Sequence, residues 1–162
     1  MTDVSAPDTM LHGTCLALDG AGVLLRGPSG SGKSDLAYRL IANGGGHAAL
    51  VADDQVIVKA AGGKLWANAP PALSGKLELR GLGLISLPAL EVAPVVLIVD
   101  LVPREDVPRL PDPTFQTVAG IEIASLRLHA FDTTSPDKVR LAAKSIPHRG
   151  FPGEDGLIDP GD

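Results

Sequence analysis

The chain has 162 residues, of which 44% are hydrophobic and 3% aromatic, and its formal net charge is −5. This length suits one domain with a single core, and the hydrophobic content excludes a wholly disordered chain. An acidic chain with few aromatic residues also lacks the clustered basic side chains and base-stacking platforms of nucleic-acid-binding proteins, so we expect no nucleic-acid partner.

The beginning of the chain contains no recognisable targeting segment. Residues 1–9 are small and polar, and we expect a flexible N-terminus rather than a signal peptide. No stretch approaches the roughly 20 apolar residues of a membrane helix. The single cysteine, Cys15, lies in an apolar run, which favours a buried thiol and fits a reducing compartment. These features predict a cytoplasmic protein with no membrane partner.

The first third of the chain has the pattern of a βαβ unit. Two short apolar runs within residues 11–26 flank a glycine-containing turn, which predicts a hairpin. Residues 35–43 place apolar side chains on one helical face, and the three glycines that follow predict the end of that helix. Residues 48–52 then form an apolar run that predicts a buried strand.

Further strands and one helix are predicted downstream. Apolar runs between turn signals predict a hairpin over 57–66, a strand over 94–101 and an edge strand over 120–129. Residues 103–113 contain four prolines and predict a loop. Ser135-Pro136-Asp137 predicts an N-cap and first turn of a helix through residue 145, while residues 147–162 predict a disordered tail. We therefore expect one domain over residues 10–146.

A glycine-rich loop between the predicted hairpin and helix fits the pattern G-x-x-x-x-G-K-[ST] at every fixed position. Its residues are Gly27, Pro28, Ser29, Gly30, Ser31, Gly32, Lys33 and Ser34. The glycines let backbone amides curl around phosphate, and the helix directs its positive end to the same anion. Lys33 can reach the β- and γ-phosphates, and the Ser34 hydroxyl can bind Mg²⁺. The loop predicts a nucleotide phosphate site, but NTPases, kinases and switches all share it.

Acidic residues follow two of the predicted strands. Asp53-Asp54 follows residues 48–52 and Asp100 ends the strand over 94–101, so both positions could place carboxylates in a ligand crevice. Adjacent strand residues point to opposite faces, so Asp53 and Asp54 should share a cavity only if the strand has already ended. The alternatives are a solvated turn or helix cap for the pair, and an ordinary loop aspartate for Asp100.

Other charged residues are ambiguous when taken singly. Glu78 and Arg80 alternate with leucines and should share one face, which fits a cross-strand ion pair as well as a site. His12, before the first strand, is by itself most simply a surface or cap residue. A solvated face or a partner-binding face would each explain the basic residues of the last helix, Lys138, Arg140 and Lys144.

Five segments in this order give the chain a family resemblance. The resemblance covers roughly residues 11–110, and its segments are His12-Gly13, the glycine-rich loop, Leu50-Val51-Ala52-Asp53-Asp54, Asn68-Ala69-Pro70-Pro71 and Leu77-Glu78-Leu79-Arg80-Gly81-Leu82-Gly83-Leu84-Ile85. The chain resembles the catalytic domain of HPr kinase/phosphorylase, a bacterial enzyme that phosphorylates a serine on the phosphocarrier protein HPr. The resemblance implies an α/β P-loop fold with a mixed sheet and flanking helices, related to phosphoenolpyruvate carboxykinase and usually assembled as a hexamer.

The resemblance also implies roles for individual residues, with ATP as the phosphoryl donor. His12 would lie near the transferred phosphoryl group, Lys33 would clamp its charge, and Asp54 would take the proton from the serine of HPr. Arg109, in Pro108-Arg109-Leu110, lies where the family has a functional arginine. The implied Mg²⁺ ligands are Ser34, Asp53 and Glu78.

Two departures from the family pattern limit what the resemblance implies. The N-terminal domain of longer members is missing, as in the family's short form. Residues 129–136 also differ from the Pro- and Arg-rich loop that the family ties to dephosphorylation. We therefore expect a Mg²⁺- and ATP-dependent serine kinase acting on HPr or an HPr-like carrier in carbon or nitrogen phosphotransferase signalling, with the reverse activity open. The alternatives are a P-loop kinase for a small molecule and a nucleotide-sensing domain without turnover.

Overall fold

A computed structural model describes residues 7–149, and it begins with the predicted hairpin. Strand β1 (Thr9–Leu18) pairs antiparallel with β2 (Ala21–Arg26). The turn between them places Asp19 and Gly20 at φ of 51° and 81°, a left-handed conformation that these two residue types tolerate. β2 leads into the glycine-rich loop and then into α1 (Lys33–Ala42), whose four inward apolar residues are all buried: Leu36, Ala37, Leu40 and Ile41.

The next strand is much longer than the sequence predicted. β3 (Ala48–Ala61) does not end at residue 52 but continues through Asp53-Asp54, and it forms the expected hairpin with β4 (Lys64–Asn68). β2 and β3 both pair antiparallel with β1, so they run parallel to each other with β1 between them. The predicted βαβ unit is therefore present, but its two parallel strands are not neighbours.

The remaining elements complete the sheet and add a second helix. The strands β5 (Lys76–Leu79) and β6 (Gly83–Ser86) form a small separate sheet. The main sheet is completed by β7 (Val92–Leu101), β8 (Thr114–Val118) and β9 (Ile121–Leu128), and helix α2 (Ser135–Arg149) follows. One short 3₁₀ turn, Pro71–Leu73, precedes β5, and another, Arg104–Asp106, follows β7.

The edge-strand prediction for residues 120–129 was wrong. β9 pairs parallel with β7 on one side and antiparallel with β8 on the other, so it is an interior strand. The edge is β8, a five-residue strand after the proline-rich loop that carries too short a pattern to be recognised. α2 runs to Arg149, past the predicted end at residue 145. The rest of the predicted tail, and residues 1–6 of the predicted flexible N-terminus, lie outside the described residues.

The main sheet closes on itself through β7. Its strand order is β2-β1-β3-β4-β7-β9-β8, and an additional parallel pairing of β2 with β7 joins five of these strands into a ring. One apolar cluster comes almost entirely from the strands, while the other combines the sheet with the inner faces of α1 and α2. Burial of both clusters is the main stabilising contribution to the fold. The predicted mixed α/β architecture is confirmed.

Neither helix in the described part of the chain is long and apolar enough to cross a membrane.

Candidate active site

A cavity of about 500 Å³ opens beside the glycine-rich loop. The loop lies at the end of β2, and β1, β3, β5 and the segment after β9 contribute the other walls. The lining brings together most of the predicted site residues: His12, Ser29, Gly30, Gly32, Lys33, Ser34, Asp53, Asp54 and Glu78. It also contains Arg80, for which the sequence left a site role open, and three residues that were not predicted for this cavity: Asp35, Leu79 and Phe131.

The glycine-rich loop is tightly curled, and two of its glycines have no room for a side chain. A Cβ on Gly27 would lie 2.6 Å from Ser31 Oγ and 3.1 Å from the Leu101 carbonyl oxygen. Gly32 caps α1 with φ of 98°, in the left-handed region. The Lys33 ammonium donates to the carbonyls of Gly27, at 2.6 Å, and Pro28, at 3.1 Å. Lys33 is therefore folded over the loop, within reach of any anion held there.

The loop has the chemistry that a Mg²⁺–nucleotide requires. The Ser31 hydroxyl is buried, and no partner for it occurs among residues 7–149. An unpaired buried donor next to free amides at a helix start suits a phosphate group. The same described range holds no cluster of three or more His, Cys, Asp or Glu arranged for a metal. Mg²⁺ commonly uses only one or two carboxylates together with substrate phosphates, so Ser34, Asp53 and Glu78 fit this ion in combination with a nucleotide.

Both aspartates face the cavity because β3 is irregular where they occur. The pairing of β1 with β3 is in register through both aspartates and shifts only between Leu50 and Ala52, but the backbone at Asp54 is left-handed, with φ of 67°. A regular strand would send adjacent side chains to opposite faces, whereas bulges and left-handed residues redirect them. Aspartate adopts this conformation more readily than most residues. From the sequence, the two acids were expected to share a site only if the strand ended before them. The strand instead continues through both residues, and the left-handed backbone at Asp54 breaks the alternation of its side chains.

Asp53 is held by one hydrogen bond to each carboxylate oxygen. The Thr14 hydroxyl donates to Oδ1 at 2.9 Å, and the Glu78 backbone N–H donates to Oδ2 at 3.3 Å. Thr14 is only 1% exposed. The sequence analysis missed Thr14, although a polar residue inside the apolar run of β1 signals a buried hydrogen-bond partner. Asp53 is therefore fixed in orientation across the β1–β3 pair.

Asp54 is paired with His12. His12 Nδ1 lies 3.3 Å from Asp54 Oδ1, and the two side chains are 62% and 67% exposed. The register places Gly13 opposite Asp54 and His12 opposite Gln55, so His12 and Asp54 occupy adjacent positions across the β1–β3 pair. His12 therefore lies on the wall of the cavity, and its catalytic role stays a prediction.

The β5–β6 hairpin brings Glu78 and Arg80 to the cavity. Glu78 and Arg80 both line it, but so does Leu79 between them, so the predicted separation of charged and apolar side chains onto two faces stays a prediction. The ion pairs of the described residues do not include one between Glu78 and Arg80. Because the backbone of Glu78 also holds Asp53, this hairpin is joined to β3 at the site.

Three other predicted positions lie elsewhere. Arg109 is exposed between β7 and β8 and does not line the cavity, so its catalytic role stays a prediction. Asp100 accepts a 2.6 Å hydrogen bond from Gln116, which also accepts one from Arg26 at 3.3 Å, in a network outside the cavity lining. Cys15 is fully buried, as predicted, and burial raises the pKa of its thiol to about 12.

Phe131, which was not predicted as a site residue, also lines the cavity. A Cβ on Gly32 would lie 2.9 Å from its ring, so the phenyl group lies directly beside the glycine-rich loop. Phe131 is 54% exposed. This exposure is visible only in the structure, so the sequence carries no signal that marks Phe131 as a site residue.

A strand, a curled glycine-rich loop, a helix and a facing set of carboxylates define this chain as an α/β protein with a candidate phosphate-binding site. Comparison with known proteins agrees with that class. Residues 3–107 match the family described as HPr Serine kinase C-terminal domain. The chain belongs to this family.

Individual relatives and a solved structure are consistent with the family assignment. HPr kinase/phosphorylase of Clostridium tetani is 49% identical over 85 residues, which cover 52% of this chain and 27% of that protein. The Ralstonia nicotianae protein of the same name is 39% identical over 139 residues, covering 79% of this chain and 42% of that protein. The structure of the Hpr(Ser) kinase/phosphatase from Coxiella burnetii matches with a TM-score of 0.74 at 25% identity, covering 84% of this chain and 88% of that one. The chain thus spans less than half the length of these two curated relatives.

Proposed function

We propose that this chain is an ATP- and Mg²⁺-dependent serine kinase that phosphorylates HPr or an HPr-like phosphocarrier. The observation that carries the proposal is that one cavity contains both the glycine-rich loop and the His12–Asp54 pair. Membership of the HPr Serine kinase C-terminal domain family supports the choice of a protein serine as acceptor.

The loop side of the cavity would bind and polarise the phosphates of ATP. Loop amides and the start of α1 provide donors, and Lys33 would exchange its two loop carbonyls for β- and γ-phosphate oxygens. The developing charge on the transferred group is the largest electrostatic demand of phosphoryl transfer, and preorganised donors meet it without reorganisation. The hydroxyl of Ser34 and the carboxylates of Asp53 and Glu78 would hold Mg²⁺, which neutralises charge on the bound phosphates.

The acid side of the cavity would activate the acceptor serine. Asp54 would accept the serine proton as the serine oxygen attacks the γ-phosphorus in line with the departing ADP. His12, at 3.3 Å from Asp54 Oδ1, would orient that carboxylate. Asp53 would stay fixed by Thr14 and the Glu78 amide, so the two adjacent acids would have different tasks.

The proposal extends to a reverse reaction and to assembly by family resemblance. In the reverse direction inorganic phosphate would take the phosphoryl group from phosphoserine, and Asp54 would return a proton to the serine oxygen. A homo-oligomer, a hexamer by resemblance, and a role in phosphotransferase signalling complete the proposal. The oligomer is measured by light scattering coupled to size-exclusion chromatography, and a monomer at all concentrations would contradict it.

Transfer of label from γ-labelled ATP to purified HPr tests the proposed activity. We expect labelling of wild-type HPr with Mg²⁺ present, and none when the acceptor serine of HPr is replaced by alanine. The Lys33→Met variant should give no labelling, whereas Lys59→Met should label normally. Lys59 is a matched control because it lies on β3 outside the cavity lining.

The alternative functions give different results in the same assay. A kinase for a small molecule would leave HPr unlabelled but would consume ATP when the right metabolite is added. A nucleotide-sensing domain would bind ATP but would transfer the labelled phosphoryl group to neither HPr nor a metabolite. Either result would overturn the proposed protein-kinase activity.

A further inference from the structure

Phe131 is the one aromatic side chain that lines the cavity in the described chain. It follows β9 and lies against Gly32 at the start of α1. Phe131 is 54% exposed. It packs against His129 and Gly32, and its remaining surface borders the cavity, where a bound ligand would contact it.

The segment that carries Phe131 is held at both ends. The ring contacts His129 edge to face, with centroids 5.7 Å apart and planes at 71°. Arg39 of α1 donates to the carbonyls of Ala130 and Asp132. Arg104 binds the Asp132 carboxylate with Nε at 2.7 Å, and this hydrogen bond lowers the pKa of Asp132. Phe131 is thus presented by a preorganised segment, which lowers the entropic cost of binding a ligand against it.

The sheet topology places Phe131 on the far side of the loop from the acids. β1 and then β3 lie beyond one edge of β2, and β7 and then β9 lie beyond the other. Asp54 is on β3, whereas Phe131 follows β9, so the glycine-rich loop lies between them. A nucleotide whose γ-phosphate lies near Asp54 and whose other end crosses the loop would bring that end to Phe131.

We propose that Phe131 stacks on the base of the bound nucleotide and thereby makes the site selective for ATP over the bare triphosphate chain. This inference rests on the proposed kinase function, because that function supplies ATP as the ligand. Base–aromatic stacking strengthens binding by about tenfold or more, and it works with any base because each has a π-face. The contact adds affinity for the nucleoside end without touching the reacting phosphate.

Calorimetric titration with MgATP and with magnesium tripolyphosphate separates base stacking from phosphate binding. The proteins compared are wild type, Phe131→Leu, which keeps an apolar side chain, and Phe131→Trp, which keeps an aromatic face. We expect Phe131→Leu to lower ATP affinity about tenfold and tripolyphosphate affinity less than about twofold. Phe131→Trp should bind ATP as wild type does. Its fluorescence should change with ATP and not with tripolyphosphate, after subtraction of the signal of Trp66, the single tryptophan.

The outcomes distinguish failure of this inference from failure of the proposed function. An unchanged ATP affinity in Phe131→Leu, or an equal loss for both ligands, overturns the stacking role while leaving the kinase proposal standing. If wild type binds neither ligand, the proposed function fails and the stacking role fails with it. Thermal unfolding of each variant is followed in parallel, and tripolyphosphate binding itself reports an intact loop.

Discussion

His12 Nδ1 lies 3.3 Å from Asp54 Oδ1 on the wall of the cavity that also contains the glycine-rich loop. A second pair of the same kind, His47 Nδ1 and Asp19 Oδ1 at 3.1 Å, lies outside that cavity lining. Both pairs are largely exposed, so neither adds much to stability. Location beside the loop is what distinguishes the first pair.

Replacement of His12 by Gln should lower the rate of transfer to HPr by about tenfold, because Asp54 loses the group that orients it. The same change in an Asp54→Asn background should cause little further loss, since the two residues act through one contact. Single-turnover rates of the four proteins measure this coupling, with His47→Gln as the control of unchanged rate. Multiplicative losses in the double variant would show that the two residues act independently.

Replacement of Thr14 by Val removes a buried donor to Asp53 while keeping the side-chain shape. We expect a loss of about 1 kcal/mol in the free energy of unfolding, because the Asp53 carboxylate loses its hydroxyl partner. The Mg²⁺ concentration for half-maximal activity should rise as Asp53 becomes less ordered, and Thr14→Ser should restore it. Urea denaturation and Mg²⁺ titration are the measurements. An unchanged Mg²⁺ dependence would remove Asp53 from the metal site.

A side chain at Gly32 should close the glycine-rich loop. Gly32 has φ of 98°, and a Cβ there would lie 2.6 Å from Ala130 Cβ. Gly63 also has a positive φ, 78°, but a Cβ added there would have no other atom within 4 Å. Gly63→Ala should therefore cost about 1 kcal/mol of stability from backbone strain alone, and Gly32→Ala should cost more and abolish ATP binding. Equal stability of the two variants would show that Ala130 yields to the new methyl group.

The buried thiol of Cys15 should resist modification in the folded protein. Burial raises its pKa from 9.0 to about 12, so the folded state retains a proton that the unfolded state releases above pH 9. The free energy of unfolding therefore keeps its full value below pH 9 and falls as the pH rises towards 12. Labelling by a thiol reagent at pH 8 should occur only as the chain unfolds, and Cys15→Ser should remove the alkaline part of the stability profile. Rapid labelling of native protein would contradict the burial.

The sequence predicted those elements whose local patterns were complete. The β1–β2 hairpin, α1 and β7 follow from turn residues and apolar periodicity, and each is present. β3 was ended too early because Asp53-Asp54 looks like a strand end in sequence, although its antiparallel partner β1 stabilises the strand through both residues. Tertiary pairing overrides local preference there.

The site was predictable where a motif defined it and not where distant segments meet. The glycine-rich loop is contiguous, and the family resemblance assembled His12, Asp54 and Glu78 around it. The support of Asp53 by Thr14 depends on the register between β1 and β3, and the position of Phe131 depends on β9 being an interior strand. Thr14 stands out locally as a polar residue in an apolar run, but no local pattern in the sequence identifies Asp53 as its partner or places Phe131 beside the loop.

The most direct measurement of the central claim is the single-turnover rate of phosphoryl transfer to HPr by Asp54→Asn and by Asp19→Asn. Both variants neutralise an exposed aspartate that pairs with a histidine and has positive φ, at 67° and 51°. Loss of a general base typically costs 10²–10⁴-fold, so Asp54→Asn should lose at least about 100-fold while binding ATP within about twofold of wild type. Asp19→Asn should transfer at the wild-type rate. Full activity in Asp54→Asn would contradict the assignment of Asp54 as the catalytic base.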